Sequence, residues 1–107
     1  MLVVGASSGI GAALAKAVVA TGGQVAVSAR RSDRLDELVA EMGGGHALPG
    51  DATDPGDARR VAEAAAEAMG GLDLMVYVAG YGVLQPLVET DPDTWTDVFR
   101  VNVVGAN

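Results

Sequence analysis

The 107-residue sequence contains no cysteine, which excludes both a disulfide framework and a thiolate metal site. Its one histidine, His46, cannot hold a zinc ion alone, so no metal centre is expected. Aromatic residues make up only 4% of the chain, leaving Ala, Val and Leu to build any core. Basic residues are scarce too: 7 Lys and Arg stand against 14 Asp and Glu, giving a formal charge of −7. That balance argues against general binding to nucleic acid or to an anionic membrane surface. Long apolar runs are also missing. Lys16, Arg30 and Asp73 interrupt every stretch that approaches the ~18 residues a spanning helix needs. The start of the chain has no basic residue, and "GASSG" breaks its apolar stretch, so no signal peptide is expected. A cytoplasmic location and a single domain over residues 1–107 are the expectations from composition and length.

What is present is a regular alternation. Leu2 to Val4 is a short apolar strand, followed by the loop "GASSGIG" with Gly5, Gly9 and Gly11. Ile10, Ala13, Leu14, Ala17 and Val18 then recur at helical spacing until Gly22 and Gly23. Gln24 to Ala29 reads as a second strand with Val25 and Val27 on one face. Ser32 or Asp33 can cap a second helix, whose stripe is Leu35, Leu38, Val39 and Met42 before the run Gly43 to Gly45. His46 to Pro49 is a brief third strand. Asp54 as N-cap and Pro55 at the first helical position open an Ala-rich third helix that reaches Met69, with Val61, Ala65 and Met69 inward. The run "LMVYV", Leu74 to Val78, is apolar enough for a strand buried on both faces. Asp91 and Pro92 repeat the capping signature for a fourth helix with Trp95, Val98, Phe99, Asn102 and Val103 on one face.

Strand–helix repetition with right-handed crossovers predicts an α/β doubly wound parallel sheet of Rossmann type, here of four strands in the order 3-2-1-4 and four helices. A complete fold of this kind has about six strands, so the chain is expected to be part of one, a partial dinucleotide-binding domain. A glycine loop between the first strand and the first helix lets backbone N–H groups approach a pyrophosphate, and the helix terminus adds partial positive charge. The strand before, the helix after and the second strand at the right distance favour nucleotide binding over a bare turn.

The glycines are spaced GxxxGxG rather than GxGxxG, and in this the chain resembles the short-chain dehydrogenase/reductase family from Val3 to Gly105. The resemblance implies a cofactor loop at Gly5, Ser7, Ser8, Gly9, Ile10 and Gly11, with Val4 in place of the family's Thr. At the end of strand two, where an acidic residue would bind the ribose 2′-OH of NAD, this chain has Ala29 followed by Arg30 and Arg31. Guanidinium groups suit a 2′-phosphate, so NADP (NADPH) is expected ahead of NAD. "GDATD" resembles the family's acidic motif, implying that Asp51 and Ala52 meet the adenine. Ala79 and Gly80 match the end of its NNAG segment, while Tyr77 and Val78 replace the two asparagines.

"VFRVNVVG" resembles the stretch that carries the family's catalytic Asn, which here is Asn102. The resemblance implies that the family's catalytic Ser and YxxxK pair lie beyond Asn107; neither Tyr77 nor Tyr81 has Lys four residues later, so neither is a substitute. The implied activity is NADP-dependent hydride transfer to or from a small-molecule carbonyl or alcohol substrate when the fold is complete. A cofactor-binding module without chemistry, or a self-associating fragment, is the alternative. The fourth helix matches one that helps form subunit interfaces, so a homo-oligomer is expected.

Overall fold

The computed structural model describes residues 1–107. Its elements in chain order are β1 (Leu2–Val4), α1 (Gly9–Ala20), β2 (Ala26–Ser28), α2 (Ser32–Met42), β3 (His46–Ala47), α3 (Pro55–Met69), β4 (Met75–Tyr77) and α4 (Pro92–Phe99). A 3-10 turn at Leu87–Glu89 precedes α4, and a π-helical turn at Arg100–Val104 continues it. The strands form one sheet in the order β3-β2-β1-β4. Every pairing is parallel, with Val3 beside Val27 on one side and Val76 on the other. This is the expected doubly wound arrangement. β2 and β3 are shorter than the apolar runs that contain them, yet pairing continues: Leu48 N–H donates to the Val27 carbonyl at 2.9 Å and Gly50 N–H to that of Ala29 at 3.0 Å.

Alternation along the strands sorts the core into two layers. Val3, Val25 and Val27 face α1 and α2, where they join Ala15, Leu35 and Leu38. Leu2 and Ala26 face the opposite side and pack with Val61 and Ala65 of α3. Leu2, Val3, Val25, Val27 and Leu35 are the largest fully buried side chains, each contributing roughly 1.5–3 kcal/mol by leaving water. An ion pair between Lys16 and Glu41 joins α1 to α2 at the surface. The Lys16 hydrogen bond holds the Glu41 carboxyl below its usual range.

Capping chemistry follows the sequence at two of the four helices. Asp54 accepts from Asp57 N–H at 2.8 Å and Asp91 from Thr94 N–H at 2.8 Å, each with Pro in the first turn. At α2 the expectation fails: Arg31 holds the N-cap position and Ser32 begins the helix, with no side-chain cap.

Three further expectations are corrected. α1 turns Gly11 and Ala15 toward the sheet, while Ile10 is 78% exposed and Ala13 and Ala17 face outward. Small residues take the closest approach, where a Cβ on Gly11 would collide with the Gly5 carbonyl and Ala6 Cα, while Leu14 and Val18 of the expected stripe pack half-buried against the same core. β4 is not buried on both faces. It pairs only with β1, and Met75 is 53% exposed. The stripe on α4 is likewise not inward, since Trp95, Phe99 and Val103 are all exposed and only Val98 is half-buried. The helix also loosens into the π-turn at Arg100, three residues before the expected face ends, carrying Asn102 on the turn rather than on the helix.

Candidate functional site

Parallel strands end together, and the loops that leave β1, β2, β3 and β4 enclose a cleft of about 1110 Å³ at that edge. The glycine loop forms its floor. Gly5 N–H and Ala6 N–H both donate to the Ser28 carbonyl, at 2.8 and 3.1 Å, tying the loop to the end of β2. Gly5 has φ +93° and lies so close to Ala79 that any Cβ would strike the Ala79 backbone. Gly9, by contrast, has φ +57° and open space where a Cβ would project. One glycine thus permits chain contact, and the other leaves the loop bare toward the cleft.

The start of α1 is suited to an anion. Ser8 caps it without a side-chain hydrogen bond, and no acid lies in its first turn, whereas α2, α3 and α4 carry Asp33, Asp57 and Asp93 there. The positive end of the α1 dipole is therefore uncompensated by the chain's own carboxylates. Arg30 and Arg31 stand exposed at the rim after β2, with Arg31 Nη2 3.5 Å from Ser7 Oγ.

After β3, Asp51 Oδ1 accepts from both the N–H and the hydroxyl of Thr53, at 2.9 and 2.7 Å. These bonds, the backbone one foremost, hold the Asp51 carboxyl below its usual range, and the positive charge of Arg30 adds to the effect. Oδ2 is left as the free oxygen of the pair. Behind it, Asp57 Oδ2 accepts from Asp51 N–H at 3.0 Å.

Across the cleft, the Tyr77 hydroxyl donates to the Val101 carbonyl at 2.6 Å. Burial, reinforced by the charge of Asp51, pushes its pKa up. The phenol thereby finds a partner in the π-turn. Asn102 grips the backbone of Tyr81 twice, accepting from its N–H at 3.0 Å and donating to its carbonyl at 2.8 Å.

All twelve residues expected at a cofactor line the one cleft: Gly5, Ser7 to Gly11, Arg30, Arg31, Asp51, Ala52, Ala79 and Gly80. Asn102 does not line it. Its carboxamide lies behind Gly80, where a Cβ would come within 3.0 Å of Oδ1. Sequence reasoning missed Thr53, Asp57 and Arg60 around Asp51, and Val101 as the partner of Tyr77. A D-x-T pattern was a signal for the first, but the others depend on how separate elements meet.

The cleft fits a dinucleotide on the chain's own geometry, having a floor in which Gly5 and Gly11 leave no room for a Cβ, a helix terminus free of acid, and arginines at one end. A family model described as short chain dehydrogenase matches residues 1–107. Glucose 1-dehydrogenase of Gluconobacter oxydans is 37% identical over 110 residues, which include 98% of this chain and 41% of that protein. Among solved structures, an actinorhodin polyketide ketoreductase variant with NADPH superposes with a TM-score of 0.92 at 28% identity, covering 98% of this chain and 42% of the other. A 3-ketoacyl-(acyl-carrier-protein) reductase from Brucella melitensis complexed with NADH gives 0.91 at 26% identity, covering 98% and 44%. The chain spans from under a tenth to about two fifths of the length of the curated relatives it matches. No helix is long and apolar enough to cross a membrane.

Proposed function

The chain belongs to the short-chain dehydrogenase family, and from that premise we propose that it is the cofactor-binding part of an NADP-dependent oxidoreductase acting on a small carbonyl or alcohol. The observation that carries the reading is the convergence of every expected cofactor residue on one cleft at the carboxyl edge of the sheet. Gly5, Ser7, Ser8, Gly9, Ile10 and Gly11 cradle the pyrophosphate on the N-terminus of α1. Arg30 and Arg31 take the 2′-phosphate, with Ala29 offering no carboxylate to a bare ribose. Asp51 accepts from the adenine amino group through its free oxygen, and Ala52 lies against the ring. Ala79 and Gly80 border the nicotinamide end with backbone alone, and Asn102 holds that border by fixing Tyr81. When bound, the nicotinamide supplies or accepts the hydride. Within residues 1–107 no Tyr–Lys pair stands ready to move the accompanying proton, so binding without robust carbonyl reduction is expected of this stretch by itself.

Calorimetric titration with NADPH and NADH tests the assignment. Arg30→Ala should weaken NADPH binding by about 10- to 100-fold, the effect of removing a charge-assisted phosphate contact, and change NADH affinity by less than about twofold. Equal effects on the two cofactors would refute the 2′-phosphate role of Arg30.

A second reading concerns partners. Leu84, Leu87, Val88, Trp95 and Phe99 are exposed together on the segment from β4 to α4, which favours a self-associating chain and a homo-oligomer of the complete protein. Sedimentation that shows a monomer at all concentrations would count against it.

A further inference from the structure

The loop that presents Asp51 is held from below by two side chains of α3 that have no other evident task. Asp57 Oδ2 accepts from Asp51 N–H at 3.0 Å, while its Oδ1 takes Arg60 Nη2 at 2.9 Å and Nε at 3.2 Å. Arg60 Nη2 in turn donates to the Pro49 carbonyl at 2.8 Å. Backbone groups on both sides of Gly50 are thus fastened to one ion pair on the first turns of a helix. Gly50 is the residue that lets them approach, for a Cβ there would lie 2.7 Å from Val61 and 3.2 Å from Arg60 Nη2. Hydrogen bonding from Asp51 N–H, followed by that from Arg60, holds the Asp57 carboxyl below its usual range, so it stays a charged acceptor at neutral pH. Asp51 spends its own Oδ1 on Thr53, and the direction of its remaining oxygen is set by where this backbone is held.

We propose that Asp57 and Arg60 are positioning residues for base recognition: they aim the free oxygen of Asp51 at the exocyclic amino group of an aminopurine and so set the preference for adenine over a 6-oxo base. The proposal rests on the functional reading above, in which Asp51 meets the adenine. A misplaced acceptor loses a charge-assisted hydrogen bond while leaving the phosphate contacts intact, so the effect falls on base discrimination rather than on binding as a whole.

The test compares NADPH with its hypoxanthine analogue, which carries a carbonyl where adenine has the amino group, by calorimetry on the 107-residue chain. The wild type should favour NADPH by about tenfold, the worth of one charge-assisted hydrogen bond. Asp57→Ala should reduce that ratio to within about twofold of unity. Asp57→Asn, which keeps an acceptor for Asp51 N–H, should retain most of it. Arg60→Ala, at an exposed position that should not disturb folding, gives an intermediate ratio and serves if Asp57→Ala fails to fold. A merely structural role would weaken both ligands equally and leave the ratio intact, and that result in Asp57→Ala or Arg60→Ala overturns the proposal alone. A wild type that binds both ligands equally removes Asp51 as the base reader and this proposal with it. A wild type that binds neither overturns the functional reading as well.

Discussion

The two walls of the cleft are built in different ways. Every buried residue lies between Leu2 and Ala65, so the wall formed by the loops after β1, β2 and β3 rests on a packed core. From Ala66 to Asn107 no residue is buried, and the wall formed by β4, the following loop and α4 is held by hydrogen bonds: Val78 N–H to the Val4 carbonyl at 2.8 Å, Tyr77 to Val101, and Asn102 to Tyr81. Apolar packing fixes position through many weak contacts at once, whereas a directed tether fails with a single atom. One wall is therefore robust to chemistry and sensitive to volume, and the other is the reverse.

The sharpest way to break this comparison is to delete volume on each side. Leu35→Ala removes a fully buried side chain and should destabilise the chain by about 2–5 kcal/mol, while Phe99→Ala, on the exposed α4, should cost about 0.5 kcal/mol or less. Urea denaturation of the two variants measures both, and similar losses would mean that α4 is packed after all. A smaller effect is expected from deleting one atom. Tyr77→Phe should cost about 1 kcal/mol and speed amide exchange selectively in residues 100–105, leaving α1 and α2 protected. Exchange rising uniformly along the chain would show that the tether is not local.

The smallest effects come from pH: acid acts on both walls, since Asp91 at the start of α4 also has a lowered pKa, held by hydrogen bonds from Thr94, while the alkaline effect falls on the Tyr77 wall alone. Asp51 and Asp57 have lowered pKa values in the folded chain, so their contribution to stability is complete above the unfolded value near ~4 and disappears as pH falls through the folded values. Tyr77 has a raised pKa, so its contribution is complete below about 10 and is lost as pH rises further. Chemical shifts of residues 50–53 and 91–94 should move in acid and those of 100–105 in alkali. The opposite pattern would contradict the assignment of charges to walls.

Much of this architecture was legible in the residues themselves. The alternation of strands, glycine stops and Asp–Pro caps led to the sheet order, and the expected cofactor residues meet in one place because they all follow strands of a parallel sheet. Ile10 misled because apolar character cannot reveal which turn of the helix makes the closest approach, here at Gly11, nor that Ile10 lies on the far side of it. "LMVYV" misled because burial of a strand depends on what covers it, which its own letters do not state. Asp57 and Arg60 gave no local sign, since their partners lie in the turn before the helix and the bond depends on the angle at which α3 meets the sheet. The same holds for Tyr77, whose hydroxyl partner is 24 residues away.

Trp95 is the only tryptophan in the chain, and it lies on α4, where it is 57% exposed. The molecule therefore carries a built-in fluorophore on its tethered wall and none in its core. Its emission is expected to be that of an indole largely in contact with water, changing little as the sheet melts. A protein of this design keeps its optical signal and its thermodynamic stability in separate places, so light reports the tethered wall and is silent about the packed one.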